Sequence, residues 1–301
     1  RTILKNISFC KKDILEFNPD KIIFVDYPGF NMRIAKWSKK YKFQTIYYIA
    51  PQLWAWNEKR IKKIKKYIDS LYVILPFEKE FFETKHKYPV KFLGHPLLDS
   101  ISNFKKNYDS SSEQIITNKK AVIAILPGSR KQEIKKILNT VIKIVDYFPD
   151  HQFIVAGAPN IELSYYKSIL KNKKIKVIEN KTYEILSIST AAIVTSGTAT
   201  LETALFKVPQ VVCYKSSYFS YFIAKLIVNI KYISLVNLIM DQQIVKELIQ
   251  QDCNKDKIRN ELEKILDLNN KKSLQIKYDE LTSILGNNGT SKRVALDIIK
   301  K

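Results

Sequence analysis

Short apolar runs alternate with amphipathic stretches along most of this chain. Lys21-Ile-Ile-Phe-Val25, Thr45 to Ile49, Leu71 to Leu75 and Val90 to Leu93 are continuous apolar runs bounded by turn residues, as expected of strands buried in a parallel sheet. Between them lie helical patterns. Ile3, Ile7, Ile14 and Leu15 recur at helical spacing until Asn18-Pro19 breaks the pattern, and Asn31 to Lys40, Glu58 to Asp69 and Phe77 to Thr84 read the same way. A second series follows, with strands at Ala121 to Leu126, Gln152 to Ala156, Lys176 to Ile178, the run ending Ala191-Ala-Ile-Val194, and Gln210 to Tyr214. Helices are predicted from near Gln132, over Tyr218 to Ile230, Asp241 to Gln251 and Ile258 to Leu268, and in the amphipathic tail carrying Val294, Ile298 and Ile299. The alternation breaks only between Asn103 and Lys120, where Asn107 to Glu113 is polar and patternless, so the domain boundary is placed there. The pattern predicts two open parallel α/β domains.

Composition sharpens this in three ways. At 301 residues and 46% hydrophobic content, the chain can bury two cores. Three scattered cysteines and three histidines without ligand spacing exclude a disulfide framework or a zinc site and suit a reducing cytoplasm. The formal charge of +22 favours acidic partners, namely nucleic acid, an anionic membrane face or phosphorylated substrates, although abundant Lys, Ile and Asn also fit biased coding. The charge is locally dense: Lys36 to Lys66 holds ten basic residues against one acid, Glu58, beside the Trp54 and Trp56 loop. Such a helix is ordinarily a solvated face, yet it also suits an anionic membrane surface. The Tyr218 to Ile230 run is interrupted by Lys225 and is too short to span a bilayer. The chain opens on Arg1 within a helical pattern, which reads as a missing N-terminal piece.

Candidate chemistry sits at the ends of predicted strands, where open α/β sheets bind ligands. Thr195-Ser-Gly-Thr-Ala-Thr-Leu-Glu202 reads as strand, tight turn and helix N-terminus, a natural seat for phosphate. With Thr198 as the expected N-cap, Glu202 lies one residue beyond the capping-box position, which leaves it free to accept from ribose hydroxyls. A plain capped helix would show the same pattern. Leu126-Pro-Gly-Ser-Arg130 places Gly128, Ser129 and the Arg130 guanidinium where an anion would bind. Asp26 closes the first strand and is either a general base or a turn residue before Tyr27-Pro28-Gly29. There is no Asp-x-Asp pair, so leaving-group charge is expected to fall on Arg130, helix dipoles and amides, with no metal and no cofactor.

Seven segments in order carry a family resemblance: Val25 to Asn31, Tyr47 to Trp56, Ile74 to Glu78, Gly94 to Pro96, Leu126 to Arg130, Ser196 to Glu202, and Ser234 to Leu238 with Val245 to Leu248. Together they resemble lipid-A-disaccharide synthase, a GT-B glycosyltransferase with two Rossmann-like domains facing a cleft. The resemblance implies an acceptor-side domain over 1–108, incomplete at its N-terminus, a UDP-sugar donor domain over 119–285, and a C-terminal helix over 286–301 that packs back on the first. It implies UDP-2,3-diacylglucosamine as donor and 2,3-diacylglucosamine 1-phosphate as acceptor, joined with inversion to release UDP. It further implies an enzyme of the cytoplasm, peripheral on the inner membrane, with no nucleic acid partner and an oligomeric state left open.

By position, Asp26 matches the family's general base and Arg130 an arginine facing the diphosphate. Gly128, Ser129, Ser196, Gly197, Thr198, Glu202, Asn237 and Glu247 fall on the donor side, and Gln52, Trp54 and His95 on the acceptor side. An apolar cleft would raise the Asp26 pKa. Two features depart from the family: Gly29 stands where a second aspartate is usual, and the opening Gly-Glu-x-Ser-Gly-Asp loop is absent. Two other readings stay open. One is a different UDP-sugar enzyme, of the 2-epimerase or peptidoglycan N-acetylglucosaminyltransferase type. The other is a basic RNA-binding module, although no RNA-recognition motif is present.

Overall fold

The computed structural model describes residues 2–108, 120–171, 173, 175–216 and 230–300. They form two compact units. Of the described residues, one unit comprises the chain up to Pro96 together with the stretch from Leu285 onward, and the other comprises Leu97 to Ser216 and Ile230 to Ile284. The first unit therefore ends at Pro96 rather than at 108, and Leu285 belongs to it rather than to the donor half. The reason for the first shift is the helix Leu97–Asn107 (α5 below), whose Phe104 packs edge-on against Phe206 of the second unit at 5.7 Å between ring centres.

The first unit holds α1 (Thr2–Phe17), β1 (Lys21–Val25), α2 (Pro28–Ser38), β2 (Gln44–Tyr48), α3 (Ile61–Tyr67), β3 (Ser70–Val73), α4 (Pro76–Glu80) and β4 (Lys91–Phe92). Its sheet is parallel throughout, in the order β1-β2-β3-β4. Ile22, Phe24, Tyr47, Leu71 and Val73 turn to one face and meet Ile7, Ile34, Ile61 and Ile64 of the helices. The other face is covered by the C-terminal helix Thr290–Lys300 through Val294 and Ile298, which pack on Ile46 and Tyr72. Polar ties fix that helix: Tyr72 Oη donates to Asp297 Oδ2 at 2.5 Å and Lys21 Nζ to the Ile298 carbonyl at 2.6 Å. β1 is an edge strand, and Ile23 and Val25 on its second face stay about half exposed, at 48% and 50%.

After α5 (Leu97–Asn107) the second unit contributes β5 (Ala121–Leu126), α6 (Lys131–Val141), β6 (His151–Gly157), α7 (Leu163–Leu170), β7 (Lys176–Glu179), α8 (Thr182–Ser187), β8 (Ser189–Thr195), α9 (Thr198–Leu205) and β9 (Gln210–Tyr214). Then come α10 (Leu235–Met240), β10 (Lys246–Ile249), α11 (Lys255–Leu266) and α12 (Leu268–Ile284), and the C-terminal helix Thr290–Lys300 is α13. The sheet is parallel in the order β10-β9-β8-β5-β6-β7. The strands from β5 to β7 step outward in one direction, and the chain then returns to lay β8 on the other side of β5. That reversal makes the β5/β8 pair a topological switch point. Both faces of β5 are buried, Ile123 and Ile125 in one core and Val122, Ala124 and Leu126 in the other, so its continuous apolar run needs no alternation.

One expected element is overturned. Residues 241–251 are not a helix, because Lys246–Ile249 pairs in parallel with Val211–Tyr214 of β9 and extends the sheet. The Tyr218 to Ile230 helix and most of the polar stretch after Asn107 lie outside the described residues. Among the described residues no helix is long and apolar enough to cross a membrane.

Candidate active site

In the second unit the loops after β5 and β8 open into a cavity of about 810 Å³ at the switch point, within the range usual for small-ligand sites. Gly128, Ser129, Arg130, Ser196, Gly197, Thr198 and Glu202, all singled out from the sequence, line it. Gly128 adopts φ 98°, and a Cβ there would stand 2.8 Å from Glu133 Oε2. Gly197 has φ 150° and ψ −164°, a conformation that essentially only glycine adopts, although a Cβ would meet nothing within 4 Å. Gly197, not Thr198, is the N-cap of α9, and Arg130 is the N-cap of α6. Neither helix is capped by a side chain. Two helix N-termini thus present their positive ends at one cavity.

The charged groups complement this. Arg130 is 81% exposed and its Nη1 lies 2.9 Å from Glu133 Oε1. An ion pair so exposed is weak, so the guanidinium can exchange Glu133 for a more highly charged anion at little cost. Glu202 is half-buried and its Oε1 accepts from Tyr183 Oη at 3.0 Å. Burial pushes the Glu202 carboxyl above its ordinary pKa, and the Tyr183 hydroxyl partly restores the ionised form. Tyr183 itself packs against Phe104 and Phe206, and burial and the nearby Glu202 raise its own pKa.

Sequence reasoning missed Tyr183, Phe104 and Glu133, all of which line the cavity. Only Glu133 had a signal, its i,i+3 spacing from Arg130 at a helix start. The opposite holds for Asn237 and Glu247. They are not among the residues lining this cavity, and both are engaged in hydrogen bonds inside the protein.

In the first unit Asp26 is exposed at the C-terminal end of β1 and is not enclosed among apolar side chains as expected. Its backbone is unusual. Asp26 and Tyr27 take φ 45° and 42°, and Ile49 at the end of the neighbouring β2 takes φ 62°. Asn31 Nδ2 donates to the Val25 carbonyl at 3.0 Å and the Asp26 carbonyl at 2.7 Å, and Tyr47 Oη donates to the same Asp26 carbonyl at 2.5 Å. The loop is therefore held from two sides.

Among the acceptor-side residues, Gln52 is exposed, while Trp54 is half-buried and donates from Nε1 to Glu78 Oε1 at 3.1 Å. Glu78 is buried, which drives its carboxyl pKa up to about 7 against the pull of the Leu75, Trp54 and Ile74 N–H donors. Trp56 is exposed with the Arg60 guanidinium 4.5 Å from its ring centre. His95 is only 3% exposed, and burial holds its imidazole pKa down to about 4. It is thus neutral and interior, its amide donating to the Leu285 carbonyl at 3.0 Å.

The lipid-A-disaccharide synthetase family model matches residues 1–296. The chain belongs to the lipid-A-disaccharide synthase family. Membership makes it an enzyme of the glycosyltransferase class, as its motif order implied. Relatives named lipid-A-disaccharide synthase include that of Coxiella burnetii, 36% identical over 282 residues, which cover 92% of this chain and 74% of the relative. That of Persephonella marina is 36% identical over 304 residues, covering 96% and 79%. The chain thus spans about three quarters of the length of these family members.

Solved structures of similar fold include the S. aureus MnaA–UDP co-structure, with a TM-score of 0.72 at 14% identity over 98% of this chain and 79% of that one. The UDP-GlcNAc 2-epimerase from Neisseria meningitidis bound to UDP-GlcNAc matches with a TM-score of 0.64 at 13% identity, covering 100% and 81%. At such identities the likeness speaks to fold alone, and it agrees with the two parallel-sheet α/β units of the GT-B class.

Proposed function

We propose that this enzyme joins UDP-2,3-diacylglucosamine to 2,3-diacylglucosamine 1-phosphate by inverting transfer, giving the disaccharide 1-phosphate and UDP. The observation that carries the reading is the convergence of two uncapped helix N-termini and the exposed Arg130 on one cavity at the β5/β8 switch point. A diphosphate suits that field, and the Glu202 carboxylate suits the ribose hydroxyls. As the acceptor 6-hydroxyl oxygen bonds to the anomeric carbon, the bond from that carbon to the diphosphate oxygen breaks. Asp26 receives the hydroxyl proton, and Arg130, amides and helix dipoles receive the negative charge of the departing UDP. The acceptor side is assigned to the unit that carries Asp26, Gln52 and Trp54. The enzyme works peripherally on the cytoplasmic face of the inner membrane, where the basic residues between Lys59 and Lys66 meet anionic lipid.

Asp26→Asn tests the chemistry. Disaccharide formation is expected to fall about 10²- to 10⁴-fold, the usual contribution of a general base, while UDP affinity measured by calorimetry stays the same. Near-normal turnover would remove Asp26 from the mechanism. The fold likeness to a 2-epimerase motivates one other reading. Conversion of unacylated UDP-N-acetylglucosamine to its 2-epimer by the purified chain, without disaccharide synthesis, would favour that reading instead.

A further inference from the structure

Asn237 and Glu247 present a physical puzzle for any account in which they touch the nucleotide. Asn237 is fully buried on α10. Its Nδ2 donates to the Val245 carbonyl at 2.8 Å and to Glu247 Oε1 at 2.9 Å, and its Oδ1 accepts from the Ile244 and Val245 amides at 2.8 and 2.9 Å. A carboxamide has two donor hydrogens and two acceptor lone pairs. All four are taken inside the protein.

Glu247 on β10 is similarly occupied. Its Oε1 accepts from the Ser234 amide at 2.9 Å and the Ser234 hydroxyl at 2.8 Å as well as from Asn237, and its Oε2 accepts from the Ile233 amide at 3.0 Å. What these two side chains jointly hold is the bend from Ile233 to Leu235. That bend in turn touches the phosphate turn. The Ser196 hydroxyl donates to the Ile233 carbonyl at 2.7 Å, and the Leu235 amide donates to Thr200 Oγ1 at 3.3 Å. Thr200 Oγ1 closes the circuit by donating to the Gly197 carbonyl at 2.8 Å.

We propose that Asn237 and Glu247 are positioning residues, which act on the nucleotide only by clamping the Ile233–Leu235 bend against the Ser196–Thr200 turn. This rests on the assignment of that turn to UDP. The clamp gives a polar pair that does not line the cavity a connection to the turn that does. It also ties Ser196 and Thr200, on either side of Gly197, to β10 through the bend.

A double-mutant cycle separates positioning from contact. Calorimetric UDP affinity is measured for Asn237→Ala in the wild-type background and in a Ser196→Ala, Thr200→Val background, where the clamp has nothing to hold. Positioning predicts that Asn237→Ala weakens UDP about tenfold in the first and less than about twofold in the second. An equal loss in both backgrounds would mean direct contact and overturn the proposal.

Amide hydrogen exchange of the ligand-free chain reads the clamp without nucleotide. Exchange over 196–200 is expected to quicken in Asn237→Ala, and unchanged protection there also overturns the proposal. Failure of the wild-type chain to bind UDP would instead remove the nucleotide assignment while leaving the exchange result to judge the clamp. Should Asn237→Ala not fold, Ser234→Ala weakens the same network and is read in the same way at smaller amplitude.

Discussion

The Asp26 loop of the first unit and the Gly197 turn of the second solve one problem differently. Each brings functional groups to the C-terminal end of a parallel strand, and each needs backbone outside the usual regions. The second unit uses glycine, at φ 98° in Gly128 and φ 150° in Gly197. On the proposed reading these two positions work through backbone amides, so losing a side chain there costs the site nothing. On the mechanism proposed above, the first unit needs a carboxylate and cannot use glycine at Asp26. It therefore keeps left-handed Asp26, Tyr27 and Ile49, at about 1–3 kcal/mol each. It offsets that cost with the Asn31 and Tyr47 hydrogen bonds to the loop carbonyls. Both turns are tied to neighbouring segments, but only the Asp26 loop must hold non-glycine residues in the left-handed region.

The comparison can be broken most sharply at Asn31. Asn31→Ala removes the Asn31 Nδ2 hydrogen bonds to the Val25 and Asp26 carbonyls and loosens the strained turn, leaving only Tyr47 Oη on the Asp26 carbonyl. Misplacement of a catalytic group by about 1 Å costs on the order of 10²-fold, so turnover should fall by about that factor with UDP affinity unchanged. A parallel loss of UDP affinity would show that the two units do not divide the work as proposed. Next in size is Gly197→Ala. A Cβ there meets no atom, so only conformational strain of about 1–3 kcal/mol is introduced, and UDP binding should weaken about tenfold. Calorimetry checks this, and an unaffected Kd would mean that the turn amides do not hold the ligand.

How far these loops could be read from the sequence follows from the physics of each. β1 and β9 were legible to the residue because a buried parallel strand is a continuous apolar run between turns. β10 was misread as helix because Lys-Glu-Leu-Ile offers only four residues of mixed polarity, and its strand character comes from pairing with β9. The Gly128 and Gly197 turns were legible because their chemistry is local. Tyr183 and Phe104 were not, since only the fold brings α5, α8 and α9 together. Asn237 and Glu247 were visible as polar residues in a motif, but no spacing reveals that every hydrogen-bonding position of the amide is already filled. The same limit applied to α5, whose amphipathic pattern does not say which core receives it.

The smallest effect is the one that tests whether Glu202 belongs to the amide site or needs a partner as Asp26 does. Burial raises the Glu202 pKa and the Tyr183 hydroxyl opposes the rise, so Tyr183→Phe should raise it further. If the ionised carboxylate accepts from the ribose, affinity is present above the Glu202 pKa and is lost as pH falls through it. In Tyr183→Phe that loss should begin at higher pH than in the parent protein. Stability of the ligand-free protein should move the other way. A carboxyl whose folded pKa exceeds its unfolded value holds its proton more tightly when folded, so its contribution is greatest at low pH and declines as pH rises through the folded pKa. Tyr183→Phe should extend that decline to higher pH. Denaturant unfolding measured across the same pH series as UDP binding should therefore show stability falling while affinity rises. Affinity and stability that moved together with pH would place the titrating group elsewhere than Glu202.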